Sequence, residues 1–224
     1  MQISSTALLS VAYLAPVQYY TKFFLYDKIL IEANENFQKQ SFRNRCNILS
    51  ANGVLPLTIP VLKEEPKVKT KELRIDNSLE WQKNHWTSIE SAYSSSPFFE
   101  FYMDEFIFFY NRKFKYLFDF NMKIQQYIFN QLEILPHIAL SDQFIEPGTS
   151  GYDDYRESIH PKRRKQRADP TFKPAFYYQV FQDRYGFIQN LSIIDLLFNE
   201  GPNAENILKQ SVDPNSFIRH KGEK

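Results

Sequence analysis

The 224 residues, 43% hydrophobic and 24% charged with a net charge of +1, suit one sizeable core and set up no global field that would draw the chain to nucleic acid or an anionic membrane. The single cysteine, Cys46, excludes an intramolecular disulfide and suits a reducing compartment. No apolar run approaches the ~20 residues that a membrane helix needs. The apolar opening Ala7-Leu8-Leu9-Ser10-Val11-Ala12 lacks a basic leader and a cleavage pattern, so a cytoplasmic location is expected. The 21 Phe and 14 Tyr point to an aromatic core with tyrosines at its margin.

In chain order, residues 8–14 read as a buried strand, because a short apolar run ends at Pro16. Residues 17–26 read as a helix that the proline starts, with Tyr20, Phe23 and Phe24 at helical spacing. Ile29-Leu30-Ile31 makes the next strand. The unit is βαβ-like and implies a parallel pair with a right-handed crossover. Residues 41–61 read as a hairpin that extends this sheet or packs beside it. Asn52-Gly53 would supply the two positive-φ positions of a type I′ turn. Strand parity would put Arg43, Arg45 and Asn47 on one face and Phe42, Asn44, Cys46 and Ile48 on the other.

Residues 63–71 form a charged, proline-containing connection, and Leu73-Arg74-Ile75 is a short strand at best. Ser78 would cap a helix running to Tyr93, whose stripe is Trp81, His85, Ile89 and Tyr93. Ser94-Ser95-Ser96-Pro97 breaks the chain, and residues 98–110 and 117–132 read as two more helices. Residues 147–174 hold few aliphatics and a basic centre at 162–167, so they read as a mobile insert or lid. Residues 177–181 suggest a strand. Ser192 and Asp195 have the spacing of a capping box, Leu191 and Leu196 that of a staple, and Gly201-Pro202 stops the helix they open. Residues 203–210 make a terminal helix, and the tail 214–224 is expected to fray. The fold class is α/β: a single domain over 1–224, with a mixed sheet, an Arg-bearing hairpin and a helical middle.

Three segments carry a family resemblance. They are Leu14-Ala15-Pro16-Val17-Gln18-Tyr19-Tyr20, then Phe42-Arg43-Asn44-Arg45-Cys46-Asn47-Ile48 with Asn52-Gly53 and Leu57-Thr58-Ile59-Pro60-Val61, and finally Phe187-Ile188-Gln189-Asn190-Leu191-Ser192 continuing through Gly201-Pro202. Residues 81–93 and the Pro97-Phe98-Phe99 step also fit. Together they are similar to the WbqC-like protein family. That resemblance implies an association with lipopolysaccharide and O-antigen gene clusters, but brings no assigned reaction. The stretch Asp153-Asp154-Tyr155-Arg156 with Ile159-His160-Pro161-Lys162 resembles the Bacteroidetes-type members.

The residues offer few chemical sites. Arg43 and Arg45 on one ribbon face could hold a carboxylate or phosphate bidentately, with Asn44 beside them. Pro16, Gln18 and Tyr19 follow the first strand, where an open α/β sheet places its ligand crevice. No glycine-rich phosphate loop is present, so such a site would use side chains. Asp27 and His85 are the available proton-transfer groups, although His85 between two aromatics also reads as a core-edge histidine. No cofactor motif and no Cys/His metal cluster is present. The expected partner is a small anionic metabolite such as a nucleotide sugar, with nucleic acid not expected and the oligomeric state open. Taken with the WbqC-like resemblance, which alone implies the glycan association, these features suggest a group-transfer enzyme of cell-surface glycan biosynthesis. The alternative is a non-catalytic binding or scaffold protein of a biosynthetic cluster, and an RNA-binding module based on the basic stretch is a third reading.

Overall fold

The computed structural model describes residues 6–62, 67–162 and 166–216. Four parallel strands form the central sheet in the order β5-β2-β1-β6. They are β1 (Thr6–Ser10), β2 (Lys28–Glu32), β5 (Ile138–Leu140) and β6 (Asp153–Asp154). Ala7, Leu8 and Leu9 of β1 are buried, as are Ile29, Leu30 and Ile31 of β2. Burial on both faces explains why these runs are continuously apolar rather than alternating. Between β1 and β2 the chain crosses through α1 (Val17–Leu25). Pro16 opens α1 at φ −68°, and the chain returns to extended backbone at Tyr26, since a proline there loses no helical hydrogen bond.

The hairpin of β3 (Arg45–Ser50) and β4 (Gly53–Thr58) is a separate two-stranded sheet. Two expectations change here. Phe42, Arg43 and Asn44 lie in a turn before β3, so strand parity does not reach Arg43. In the Ser50-to-Gly53 turn only Gly53 has positive φ, at 99°. Such a turn is closed by a glycine bulge rather than built on two positive-φ residues.

The helical middle comprises α2 (Trp81–Tyr93), α3 (Phe99–Phe106) and α4 (Leu117–Gln131). Ser78 does not cap α2; its hydroxyl donates to Asp76 instead. Beyond the sheet lie a short α5 (Gln182–Tyr185), then α6 (Ile193–Glu200) and α7 (Ala204–Gln210). The ring of Phe198 in α6 lies 5.3–5.7 Å from those of Tyr93, Phe99 and Phe106, which joins α2, α3 and α6 into one aromatic core. Such pairs add about 0.5–1.5 kcal/mol each beyond burial. Gly201 ends α6 at φ 51°, where an added Cβ would lie 2.5 Å from the Phe98 ring, so the position admits only glycine.

Three further expectations are corrected. Residues 177–181 form no strand but an irregular stretch followed by a turn. Ser192 opens α6 without a side-chain cap bond and donates to the Leu14 carbonyl. The Asp195 carboxylate, expected at that cap, instead accepts from Tyr93, Tyr177 and Gln179. Within the stretch 147–174, residues 153–160 are built into the fold: β6 pairs with β1, Tyr155 donates to the Leu8 carbonyl, and Arg156 and His160 are buried. Residues 163–165 of the basic centre, residues 63–66 of the charged connection and tail residues 217–224 lie outside the described residues.

Candidate functional site at the carboxyl edge of the sheet

Because all four strands are parallel, their carboxyl ends share one edge. The chain builds outward from β1 to β2 to β5, then returns to place β6 on the other flank of β1. The strand order therefore reverses between β1 and β6, the place where open α/β sheets form a ligand crevice. Glu32 ends β2, Ser10 ends β1, Ser141 follows β5 and Arg156 follows β6.

These residues form a buried polar network. Glu32 accepts from the Ser141 hydroxyl at 2.6 Å and from the Asn34 and Ile145 amides at 2.8 Å. Arg156 pairs with Asp154 at 2.6 Å and reaches Glu32 at 3.5 Å. Arg43 donates from Nε and Nη2 to the two Glu35 oxygens, and from Nη2 to Ser10 at 2.7 Å. Burial in such a medium demands paired charge, and each guanidinium here has its carboxylate. A cleft of about 250 Å³ opens over this edge, lined by Glu35, Asp154, Arg156, Glu157 and Arg167 among others.

A larger groove of about 600 Å³ lies beside it and shares Arg167. Its walls come from the first turn of α1, the chain that follows β6, and residues 188–191. Gln18 is its anchor: Nε2 donates to Asp169 at 2.7 Å and Oε1 accepts from Asn190 at 3.0 Å. Asp169 also accepts from Lys22 Nζ at 2.6 Å. Burial alone would push the Asp169 carboxyl up, but Lys22, Thr171 and Gln18 outweigh it and hold the carboxyl below its usual range. Burial pushes the Lys22 ammonium down against the pull of Asp169. His160 lines the groove too; its Nδ1 accepts from the Lys162 amide at 3.0 Å, which leaves the proton of the neutral ring on Nε2.

The amides at the start of α1 are already taken. Val17 donates to the Leu191 carbonyl and Gln18 to the Asn190 side chain, so this helix start presents no phosphate cradle of the usual kind. Asn190 in the groove wall holds left-handed backbone at φ 60°, and so does Leu14, at φ 42°, whose carbonyl accepts from the Ser192 hydroxyl. Asparagine tolerates that region and leucine does not, so the turn after β1 is strained where it meets residues 190–192.

Of the residues read from the sequence, the structure brings Gln18 to the groove wall, and Asn47 of the hairpin joins it. Pro16 stands at the start of α1, in a bridge to Ser192. Tyr19 is buried, its hydroxyl donating to the Ser10 carbonyl at 3.2 Å. The Asn44 side-chain Nδ2 donates to the Ile59 carbonyl, and the Asn44 backbone carbonyl accepts from the Ile59 amide. Arg43 and Arg45 do not form a pair: Arg43 is sealed against Glu35, and Arg45 reaches across the hairpin to the Thr58 hydroxyl at 3.0 Å. Asp27 is exposed just before β2, at the opposite end of the sheet. His85 lies in the aromatic core, with Nδ1 2.9 Å from the Tyr13 hydroxyl, and lines neither the groove nor the edge cleft. Burial, opposed by the Thr58 backbone, lowers its pKa to about 4, so the ring is neutral at physiological pH.

The sequence reading missed Glu32, Glu35, Arg156, Asp169 and Asn190. Glu32 had a usable signal, since a carboxylate closing an apolar strand of a parallel sheet sits at the ligand edge. Glu35 and Asp169 had none, because their partners are eight and 147 residues away in sequence.

Among the described residues, no helix is long and apolar enough to cross a membrane. No solved structure matches the chain. It is 32% identical over 74 residues to the uncharacterized protein Rv1507c of Mycobacterium tuberculosis, a match covering 33% of this chain and 32% of that protein. The chain thus spans about a third of the length of this curated relative. The model of the WbqC-like protein family matches residues 12–166; this takes in α1, β2, the hairpin, the helical middle, β5 and β6, and the chain belongs to that family.

Proposed function

We propose that this chain is a group-transfer enzyme of cell-surface glycan biosynthesis, working in the cytoplasm on an anionic activated metabolite such as a nucleotide sugar. The observation that carries the reading is the composition of the groove beside the edge cleft. Its lining includes five amide side chains, Gln18, Asn47, Gln166, Gln189 and Asn190, with Phe42 and Phe172 among them. Amides both donate and accept hydrogen bonds and so suit the hydroxyls of a sugar, and aromatic faces suit its C–H surface. Arg167 supplies a positive charge at the join with the edge cleft, where an anionic group would sit. The family's association with lipopolysaccharide and O-antigen clusters favours the same substrate class.

The test is a thermal-shift screen of nucleotide sugars on the wild-type chain and on an Arg167→Ala/Gln189→Ala variant. Both side chains are exposed, so the variant should fold. A rise in Tm in the wild type that the variant loses supports the reading; no rise, or one that survives in the variant, sinks it. Exposed Phe176 and Tyr178, two residues apart in an irregular stretch, favour the scaffold alternative instead. That alternative requires a protein partner whose binding is lost in Phe176→Ser/Tyr178→Ser.

A further inference from the structure

A second recess lies away from the groove and shares no lining residue with it. It has a volume of about 550 Å³ and is walled by residues 108–115 and the first two turns of α4. The sequence there, Asn111-Arg112-Lys113-Phe114-Lys115-Tyr116, alternates basic and aromatic side chains. Four exposed cations, Arg112, Lys113, Lys115 and Lys123, line the recess against a single carboxylate, Asp119. None of the four makes an ion pair with any described residue. Three sit over rings instead: the Arg112 guanidinium lies 4.4 Å from the Phe108 centroid, Lys115 Nζ 5.1 Å from that of Tyr116, and Lys123 Nζ 5.6 Å from that of Phe114.

The backbone that carries these cations is fixed. Asn77 donates to the Phe114 carbonyl at 2.8 Å, the Ile75 amide to the Lys115 carbonyl at 3.0 Å, and Gln82 to the Arg112 carbonyl. Leu117 in turn donates to the Leu73 carbonyl at 2.9 Å. An ordered loop presenting unpaired cations beside the half-exposed ring of Phe108 binds at a lower entropic cost than a mobile one.

We propose that this recess is a nucleotide site, taking a nucleoside di- or triphosphate whose phosphates meet the four cations and whose base stacks on the Phe108–Arg112 pair. Three features select this occupant. Four cations against one carboxylate match a polyphosphate rather than a single phosphate. The volume is that of a small-molecule pocket of about 300–1,000 Å³, not of a track for a strand. The cations ring a concavity, whereas an interfacial membrane helix lays a continuous apolar face into the bilayer. The assignment is independent of the substrate of the groove.

Isothermal titration calorimetry of the full chain with ATP and ADP, and with inorganic tripolyphosphate as the charge-only probe, tests it. Stacking should make ATP bind at least about tenfold more tightly than tripolyphosphate. Phe108→Ala should erase that margin and leave tripolyphosphate binding in place. Lys113→Gln/Lys123→Gln should weaken both ligands, and Arg167→Ala/Gln189→Ala should change neither, which separates this site from the groove. Equal affinity for ATP and tripolyphosphate overturns the proposal, as does an unchanged Phe108→Ala or no heat with any nucleotide. So does binding of an oligouridylate or of phosphatidylglycerol vesicles in the absence of mononucleotide binding.

Discussion

Arg43 donates to both oxygens of Glu35 from a position sealed from water, whereas Arg45, two residues on, reaches only the Thr58 hydroxyl at the surface. Removing one partner of a buried pair strands the other charge, which costs about 3–5 kcal/mol. An exposed cation contributes under about 1 kcal/mol. Arg43→Ala should therefore shift the urea midpoint strongly and Arg45→Ala barely, and equal small shifts would show that Glu35 has another partner. Loss of ligand binding in Arg43→Ala would accordingly report on folding before chemistry. The sequence could not separate the two arginines: parity along a strand is informative only inside the strand, and β3 begins at Arg45. His85 was more legible, because its neighbours in the helical stripe, Trp81 and Ile89, are themselves core residues. Asp195 was half legible. Its place in the first turn of α6 could be read, but its hydroxyl donors Tyr93 and Tyr177 come from distant parts of the chain. Burial, opposed by Tyr177, Tyr93 and Gln179, raises its carboxyl from 3.8 to about 6. Between those values the folded chain binds the proton more tightly than the unfolded chain, so stability falls as pH rises through that window and levels off above it. At about 1.4 kcal/mol per unit the fall is at most about 3 kcal/mol. Asp195→Asn should flatten this slope in denaturant titrations between about pH 4 and 7. A slope unchanged by the substitution would assign it to another group.

At the scale of elements, the ion pair between Lys22 and Asp169 fastens the chain after β6 to the inner face of α1. Lys22 has no exposed side-chain surface and Asp169 very little. Lys22→Met or Asp169→Leu alone leaves one charge buried without its counterpart, while the double substitution replaces both with apolar volume. The expected cycle is two strongly destabilising singles and a double milder than either, read from chemical denaturation. An additive double would mean that the two groups do not act as a pair. The elements that could be read from the sequence are those with punctuation as well as periodicity. Pro16 opens α1 and Gly201 closes α6, and both helices lie within two residues of their expected bounds. β6 could not be read. Asp153-Asp154 has poor strand propensity and is a strand only because β1 presents an open flank whose Leu8 carbonyl takes the Tyr155 amide. The mobile insert inferred from composition failed at 153–160 for this reason: local hydrophobicity says nothing of a neighbour that lacks a partner.

For the whole molecule, the family match and the folding unit have different extents. The match ends at residue 166, yet the segments beyond it complete structures begun before it. Phe198 lies at the centre of the rings from α2 and α3. The amide of Ser192 donates to the Asn47 carbonyl and that of Ile193 to the Ala15 carbonyl, so residues 191–193 tie the turn after β1 to the hairpin. Asp169 supplies the counter-charge for Lys22. A fragment ending at residue 166 would keep all four strands of the parallel sheet but expose the aromatic core along the α6 side. It would also remove the counter-charge of Lys22, and these losses fall on a domain held together by only ~5–15 kcal/mol. The full chain should unfold in one cooperative transition with a structured near-ultraviolet dichroism spectrum from its packed tyrosines. The 1–166 fragment should show neither, while retaining some far-ultraviolet helix signal from α2 and α4. A cooperative melt of the fragment would mean that the aromatic core closes without Phe198, and that residues 167–216 were added to a domain already complete. The groove would then be assembled from a finished fold and a separable strap, and its two walls could be exchanged independently.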